Sequence, residues 1–194
     1  MNGRLILASV SPRRIELLDQ IGLAPDQVLP ADVCENPLTN ELPRQLASRL
    51  ADAKATKIFN VLDGDFVLAA DTVVACGRRS LAKAASEDEA QKFLQMLSGR
   101  SHRVYGGVCL IAPGGKKVSR MVMTTVYFKK LTKYEIQNYI ETNEWRGKAG
   151  AYAIQGLASV FVRRINGSYS NVVGLPLYET ASLLTGLGYS KGNK

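Results

Sequence analysis

Apolar residues in this chain fall into short runs of strand length and longer stretches spaced for helices. Leu5 to Ser9 is a short apolar run and predicts a strand. Ser11 and Pro12 follow as an N-cap and a proline at the first helical position, Ile15, Leu17, Leu18 and Ile21 form an apolar face, and Gly22 ends the helix. Residues 42 to about 61 predict a second helix, with Leu46, Leu50, Ala53, Lys57 and Ile58 near one face. Asp65 to Cys76 is almost continuously apolar, the mark of a strand buried on both faces. Ser86 with Glu89 and Thr132 with Glu135 have capping-box spacing ahead of two more helices. Those helices carry Ala90, Phe93, Leu94 and Leu97, and then Ile136, Tyr139 and Ile140. Between them, Val104–Ala112 and Val118–Phe128 predict a hairpin turning at Pro113-Gly114-Gly115. Gly147 to Gly156 predicts a loop, Val160–Ile165 and Tyr169–Val173 flank an Asn166-Gly167 hairpin signal, and a last helix follows Pro176 over residues 177–187. Strands and helices alternate early and hairpins dominate later, so the expectation is an α/β fold with a mixed sheet flanked by helices.

The chain has 194 residues, 46% of them hydrophobic, which suffices for the core of one domain spanning residues 1–194, with room for two lobes. The formal charge of +8 favours anionic partners. It does not choose among nucleotides, nucleic acid and phosphorylated metabolites, but no basic run is long enough for a nucleic-acid-binding tail. Cys34, Cys76 and Cys109 are odd in number, far apart and without a CxxC pair. That pattern argues against a disulfide framework or thiolate zinc site and predicts a reduced, cytoplasmic protein. Met1-Asn2-Gly3-Arg4 leads into the first strand without a signal-peptide pattern, and no run approaches the ~20 apolar residues of a membrane span. His102, the single histidine, is expected to pack rather than react.

Four segments can carry chemistry. Ser9-Val10-Ser11-Pro12-Arg13-Arg14 puts two arginines in the first turn of a helix, where they oppose the helix dipole unless an anion sits between them and the free N–H groups. A plain cap with two solvated arginines meets the same pattern. Asp71 lies inside the apolar run FVLAADTVVAC, where a bare carboxylate costs several kcal/mol. With Thr72 it is expected near the carboxyl end of its strand, where open α/β sheets bind ligands, although a structural ion pair would also satisfy it. Lys54 and Lys83 stand among alanines and leucine, either snorkelling into water or joining a cluster that neutralises polyphosphate. In GKAGAYAIQG at 147–156 the small residues admit close approach, and Gln155 offers the donor and acceptor that suit a nucleobase edge; tight packing explains the glycines equally well.

In order along the chain, LILASVSPRRIELL at 5–18, AADTVV at 69–74, GKAGAYAIQG at 147–156 and INGSYSNVVGLPLYE at 165–179 resemble the blocks of the Maf family of nucleotide pyrophosphatases. The resemblance implies a long mixed sheet bent around a deep central cleft, similar to the inosine-triphosphate pyrophosphatases. It implies hydrolysis of a nucleoside triphosphate, dTTP or UTP in the branch this chain is like, to the monophosphate and pyrophosphate. Asp71 matches the family's catalytic acidic residue, assigned as the base or metal carboxylate. Arg13, Thr72 and Gln155 match positions linked to substrate choice, and Ser9, Arg14, Lys54 and Lys83 match the phosphate site. Asp71 and Glu35 match the positions of a divalent metal, Mg²⁺ or Mn²⁺. A nucleoside triphosphate is the expected partner, with neither membrane nor nucleic acid, and a homodimer is the implied assembly. Roles in excluding modified nucleotides or in arresting cell division would follow. The rival readings are a pyrophosphatase for another modified or purine nucleotide and a nucleotide-binding or nucleic-acid-binding regulator without turnover. The chain departs from the family's usual Lys-Pro at Lys83-Ala84 and has Asp32-Val33-Cys34 ahead of Glu35 where a more acidic segment is usual.

Overall fold

Seven strands form one mixed sheet in the computed structural model, which describes residues 3–62 and 64–191. Met1 and Asn2, the start of the lead into the first strand, lie outside the described residues. The strands are β1 (Leu5–Leu7), β2 (Gln27–Val28), β3 (Phe66–Cys76), β4 (Arg79–Leu81), β5 (Ser101–Ile111), β6 (Lys117–Phe128) and β7 (Val162–Asn166). Their spatial order is β2-β1-β3-β5-β6-β7, with β4 folded back on β3. β1 pairs in parallel with β2 and β3, and the remaining pairs are antiparallel. The predicted hairpin turns where it should, Ile111 lying opposite Lys117.

Among the described residues six α-helices, α1 (Pro12–Gln20), α2 (Pro43–Phe59), α3 (Glu87–Leu97), α4 (Lys133–Glu141), α5 (Tyr169–Val173) and α6 (Leu177–Gly186), cover the sheet. Alternation along β3 divides their work. Leu68, Ala70 and Val74 join Leu17 and Leu18 of α1, Phe93 and Leu94 of α3, Ile136 of α4 and Leu183 of α6 in the larger core. Val67, Ala69, Val73 and Ala75 face α2, meeting Leu46, Ala47, Leu50, Ala51, Ala55 and Ile58. The buried stripe of α2 therefore includes Lys54 and turns away from Ala53 and Lys57, which the sequence pattern had placed near it.

Three other expectations change. Tyr169–Val173 is a short helix rather than a strand, because Ser168 accepts a hydrogen bond from the Asn171 N–H and caps it. Val160 and Phe161 belong to a 3-10 turn, so β7 starts at Val162. Ser11 and Pro12 do open α1 as N-cap and first-turn proline, although the Ser11 side chain makes no cap bond. The Thr132–Glu135 capping box is complete, whereas the Glu89 carboxylate takes the Ala85 N–H and leaves only the Ser86 half of its box.

α2 approaches the sheet at Gly107, where a β-carbon would stand 2.2 Å from the Ala47 carbonyl oxygen. Backbone on both sides leaves no flexible group to yield. Gly107→Ala is expected to lower stability by about 2–4 kcal/mol, read as a reduced urea midpoint.

His102 is buried in β5, its Nε2 2.8 Å from the Tyr152 hydroxyl, with its ring edge-on to Phe128. Burial lowers its pKa from 6.5 to about 4. An unfolded chain takes up this proton below pH 6.5 while the folded chain refuses it until about pH 4, so stability falls with pH across that window. Wild type should lose about 3 kcal/mol more than His102→Phe between pH 7 and pH 4, measured by urea denaturation.

Candidate active site

A gap in the sheet edge defines the site. β1 ends at Leu7, opposite Leu68 of β3, and β4 does not begin pairing with β3 until Val74. Along 69–73, β3 therefore has β5 on one side and, among the described residues, no strand on the other. Asp71 lies mid-strand in β3 rather than near its carboxyl end, but it stands beyond the carboxyl end of β1, which opens the same kind of crevice. Successive β3 residues point to opposite faces, so Asp71 meets α2 and Thr72 meets α1.

On the α2 face, Lys54 Nζ lies 2.7 Å from Asp71 Oδ1 and 2.5 Å from Glu35 Oε1. The Lys54 and Asp71 side chains are only 9% and 11% exposed, so each satisfies the other's buried charge. Glu35 is more open, and Lys83 Nζ lies 3.7 Å from its other oxygen. Burial pushes the Glu35 carboxyl up, but the Lys54 hydrogen bond and the charges of Lys54, Lys83 and Arg14 outweigh it and leave its pKa below the usual value. The loop carrying Glu35 is fastened by α2. Lys57 donates to the Asp32 carbonyl, and Arg49 donates to the Asn36 carbonyl at 3.0 Å and to both Glu41 oxygens. The Lys83-Ala84 departure from Lys-Pro does not remove Lys83 from the cluster, since its Nζ reaches Glu35 while its backbone bridges to Ala149.

On the other face, Arg14 Nη1 donates to Ser9 Oγ at 2.8 Å and Nε to the Gly174 carbonyl at 2.9 Å. Arg14 Nη2 and Thr72 Oγ1 are 3.4 Å apart, and the Thr72 hydroxyl also reaches the Gly174 carbonyl at 3.4 Å. Desolvation holds the Arg14 guanidinium below its ordinary pKa, with the Asp71 charge opposing that. Gly174 was not foreseen. Its role rests on a backbone carbonyl, and its φ of 146°, which glycine favours, is the one trace left in the sequence.

The sheet gap thus gathers Ser9, Arg14, Thr72, Lys54, Asp71, Glu35 and Lys83 into two adjoining clusters. Arg13 and Gln155 are outside both. Burial lowers the Arg13 pKa against the pull of Glu16, and burial first, then Arg13, lowers that of Lys148. Lys148, close enough to Arg13 to feel its charge, is a further cation that the residue pattern had not singled out. Gln155 is exposed and makes no hydrogen bond among the described residues. Three cations, Arg14, Lys54 and Lys83, face two carboxylates, with Arg13 close enough to act on Arg14, and leave a site that attracts anions; its hydroxyls and guanidinium suit phosphate.

Lys54→Met strands Asp71 and Glu35 side by side. The variant should lose about 3 kcal/mol at pH 7. Glu35 is depressed in the wild type, so its share of the pair's stability is present above the unfolded carboxylate pKa and is lost as pH falls through the folded one. Wild type and variant should therefore converge on acidification, checked by urea denaturation at pH 7 and pH 4.

Residues 4–187 match the model of the family described as Maf-like protein. The chain is 58% identical over 192 residues to a dTTP/UTP pyrophosphatase of Mesorhizobium japonicum (strain LMG 29417 / CECT 9101 / MAFF 303099), covering 96% of this chain and 92% of that one. It is 58% identical over 186 residues to a dTTP/UTP pyrophosphatase of Paramagnetospirillum magneticum (strain ATCC 700264 / AMB-1), covering 96% and 98%. Among solved structures, a HAM1 protein from Coxiella burnetii shares the fold with a TM-score of 0.51 at 16% identity, covering 95% of this chain and 99% of that one. With a family match running from the first strand through the last helix, and relatives this similar over almost their whole length, the chain belongs to the Maf family.

Proposed function

We propose that this protein hydrolyses dTTP and UTP between the α- and β-phosphates, releasing the monophosphate and pyrophosphate. The observation that carries the reading is the buried Asp71 in the sheet gap, 2.7 Å from Lys54 and flanked by Glu35, Lys83 and Arg14. A site that only held polyanions would gain nothing from two carboxylates. The names of the Mesorhizobium and Paramagnetospirillum relatives support the substrate and the bond cleaved.

In this reading water attacks the α-phosphorus and the bridging oxygen leaves with pyrophosphate. Asp71 orients the water and takes its proton, Lys54 fixes the Asp71 carboxylate, and Arg14 and Lys83 stabilise charge on the leaving group. Ser9 and Thr72 set the Arg14 guanidinium, while Arg13 and Gln155 meet the outer phosphates and the base. The donor set fits a divalent cation. Asp71 Oδ2 takes no hydrogen bond among the described residues, Glu35 stands beside it, and magnesium is commonly held by one or two carboxylates plus substrate phosphates. Among the described residues no group of three or more acids, histidines or cysteines is placed to hold a metal, so substrate oxygens would complete the coordination. Mg²⁺ or Mn²⁺ on Asp71 and Glu35 would supply acidification of the water and screening of the phosphates.

Pyrophosphate release from dTTP, UTP, CTP, GTP and ATP with Mg²⁺ or Mn²⁺ tests the proposal. Turnover should favour dTTP and UTP, and Asp71→Asn should lower kcat by roughly 10²–10⁴-fold. The variant should stay folded because Lys54 keeps Glu35 as its partner. Near-normal turnover in Asp71→Asn removes the mechanism, and nucleotide binding without turnover in the wild type points to a regulator.

A further inference from the structure

Gln155 sits in a turn closed by the Gly156 N–H donating to the Ala153 carbonyl at 3.0 Å. Side chains from outside the turn hold both of its ends. At the leading end the Ala153 N–H donates to the Tyr139 hydroxyl oxygen at 3.0 Å. At the trailing end the Leu157 N–H donates to Glu144 Oε2 at 2.8 Å. Tyr139 is buried in α4, and the buried Trp145 ties the segment after α4 back to it by donating its indole N–H to the Ile140 carbonyl at 3.0 Å. The frame around Gln155 is thus anchored to the core, and Gln155 itself is not.

Glu144 also accounts for Gly156. The φ and ψ of Gly156 are −104° and −152°, which any residue adopts, so its backbone does not demand glycine. A β-carbon there would lie 2.1 Å from Glu144 Oε2 and 2.7 Å from Cδ. Room for the carboxylate is what keeps this position bare. The charge of Glu144 is felt by Lys148, but among the described residues Glu144 makes no salt bridge with it or with Arg146, and its Oε2 accepts from backbone.

We infer that Glu144 is a positioning residue for nucleobase selection, fixing the turn that presents Gln155 to the edge of a uracil or thymine ring. The inference rests on the reading that Gln155 meets the base. An exposed glutamine without protein partners takes its aim from its own backbone, and amide recognition of a base edge tolerates displacements of only about 0.5 Å. Whatever holds the turn therefore holds the discrimination.

The test compares kcat/KM for UTP and CTP, which differ by a carbonyl against an amino group on the edge in question. Gln155→Ala should lower the UTP:CTP ratio, and Glu144→Ala and Gly156→Ala should each lower it by about tenfold. Glu144→Gln should restore it, since its amide oxygen accepts the same N–H. Gly156→Ala should add nothing on top of Glu144→Ala, because the group it displaces is already gone. General destabilisation, followed by melting temperature, lowers activity on both nucleotides alike and leaves the ratio unmoved. A ratio that changes in Gln155→Ala but not in Glu144→Ala or Gly156→Ala overturns the inference alone. A ratio unchanged in Gln155→Ala overturns the base reading, and the inference with it.

Discussion

A carboxylate buried on a sheet face needs a cation, and Lys54 supplies one to Asp71 because α2 rests hard against the strand beside it. Asp71 pairs directly across the sheet with Gly107, where the Ala47 backbone touches down. Lys54 follows Ala47 by two helical turns, about 10 Å along the axis, and its side chain leans back toward the helix N-terminus. A β-carbon at residue 107 would lift the helix and draw the ammonium away from the acid. The same ammonium holds Glu35, and other α2 cations fasten the loop behind it. Packing of one helix on one glycine thus fixes the charge arrangement on this side of the gap.

The opposite face depends on backbone placement. Arg14 is held by Ser9 and by the carbonyl of Gly174, which closes α5. α5 is itself locked by Asn171, fully buried, whose amide donates to the Val104 carbonyl and the Thr124 hydroxyl. Its amide oxygen, Oδ1, lies against Gly106, where a β-carbon would stand 1.9 Å away. Adjacent glycines in β5 therefore admit α2 on one face and α5 on the other, directly across from Asp71 and Thr72. The two residues that face the site owe their partners to the two glycines behind them.

Much of this was legible in the sequence, for physical reasons. The long hairpin, the Thr132–Glu135 cap and the apolar run around Asp71 are local patterns, and local patterns survive folding. A carboxylate in such a run announces that it has a partner, though not which one. Lys54 was harder to place because the neighbouring alanines blur the helical face by one position, and only the contact with Gly107 settles the rotation of α2. Tyr169–Val173 misled because Asn166-Gly167 is a strong hairpin signal, whereas Ser168 works as a cap only with Thr124 beside it. Gly174 acts through its carbonyl, which every residue possesses, so its residue type did not point to that contact.

These parts also explain why the site can be ordered and still open to a highly charged ligand. Lys54 bridges Asp71 and Glu35, while Arg14 is satisfied by neutral oxygens of Ser9, Thr72 and Gly174. Neutral acceptors orient a guanidinium without cancelling its charge, so its pull on phosphate survives the preorganisation. Had Arg14 been paired with Asp71, a ligand would have to break a buried salt bridge before binding. Alternation along β3 prevents this by sending Asp71 to one face and Thr72 to the other. In the proposed reaction the acids are thereby kept for the reacting centre and the arginine for the phosphates, a division set by the two-residue period of a single strand.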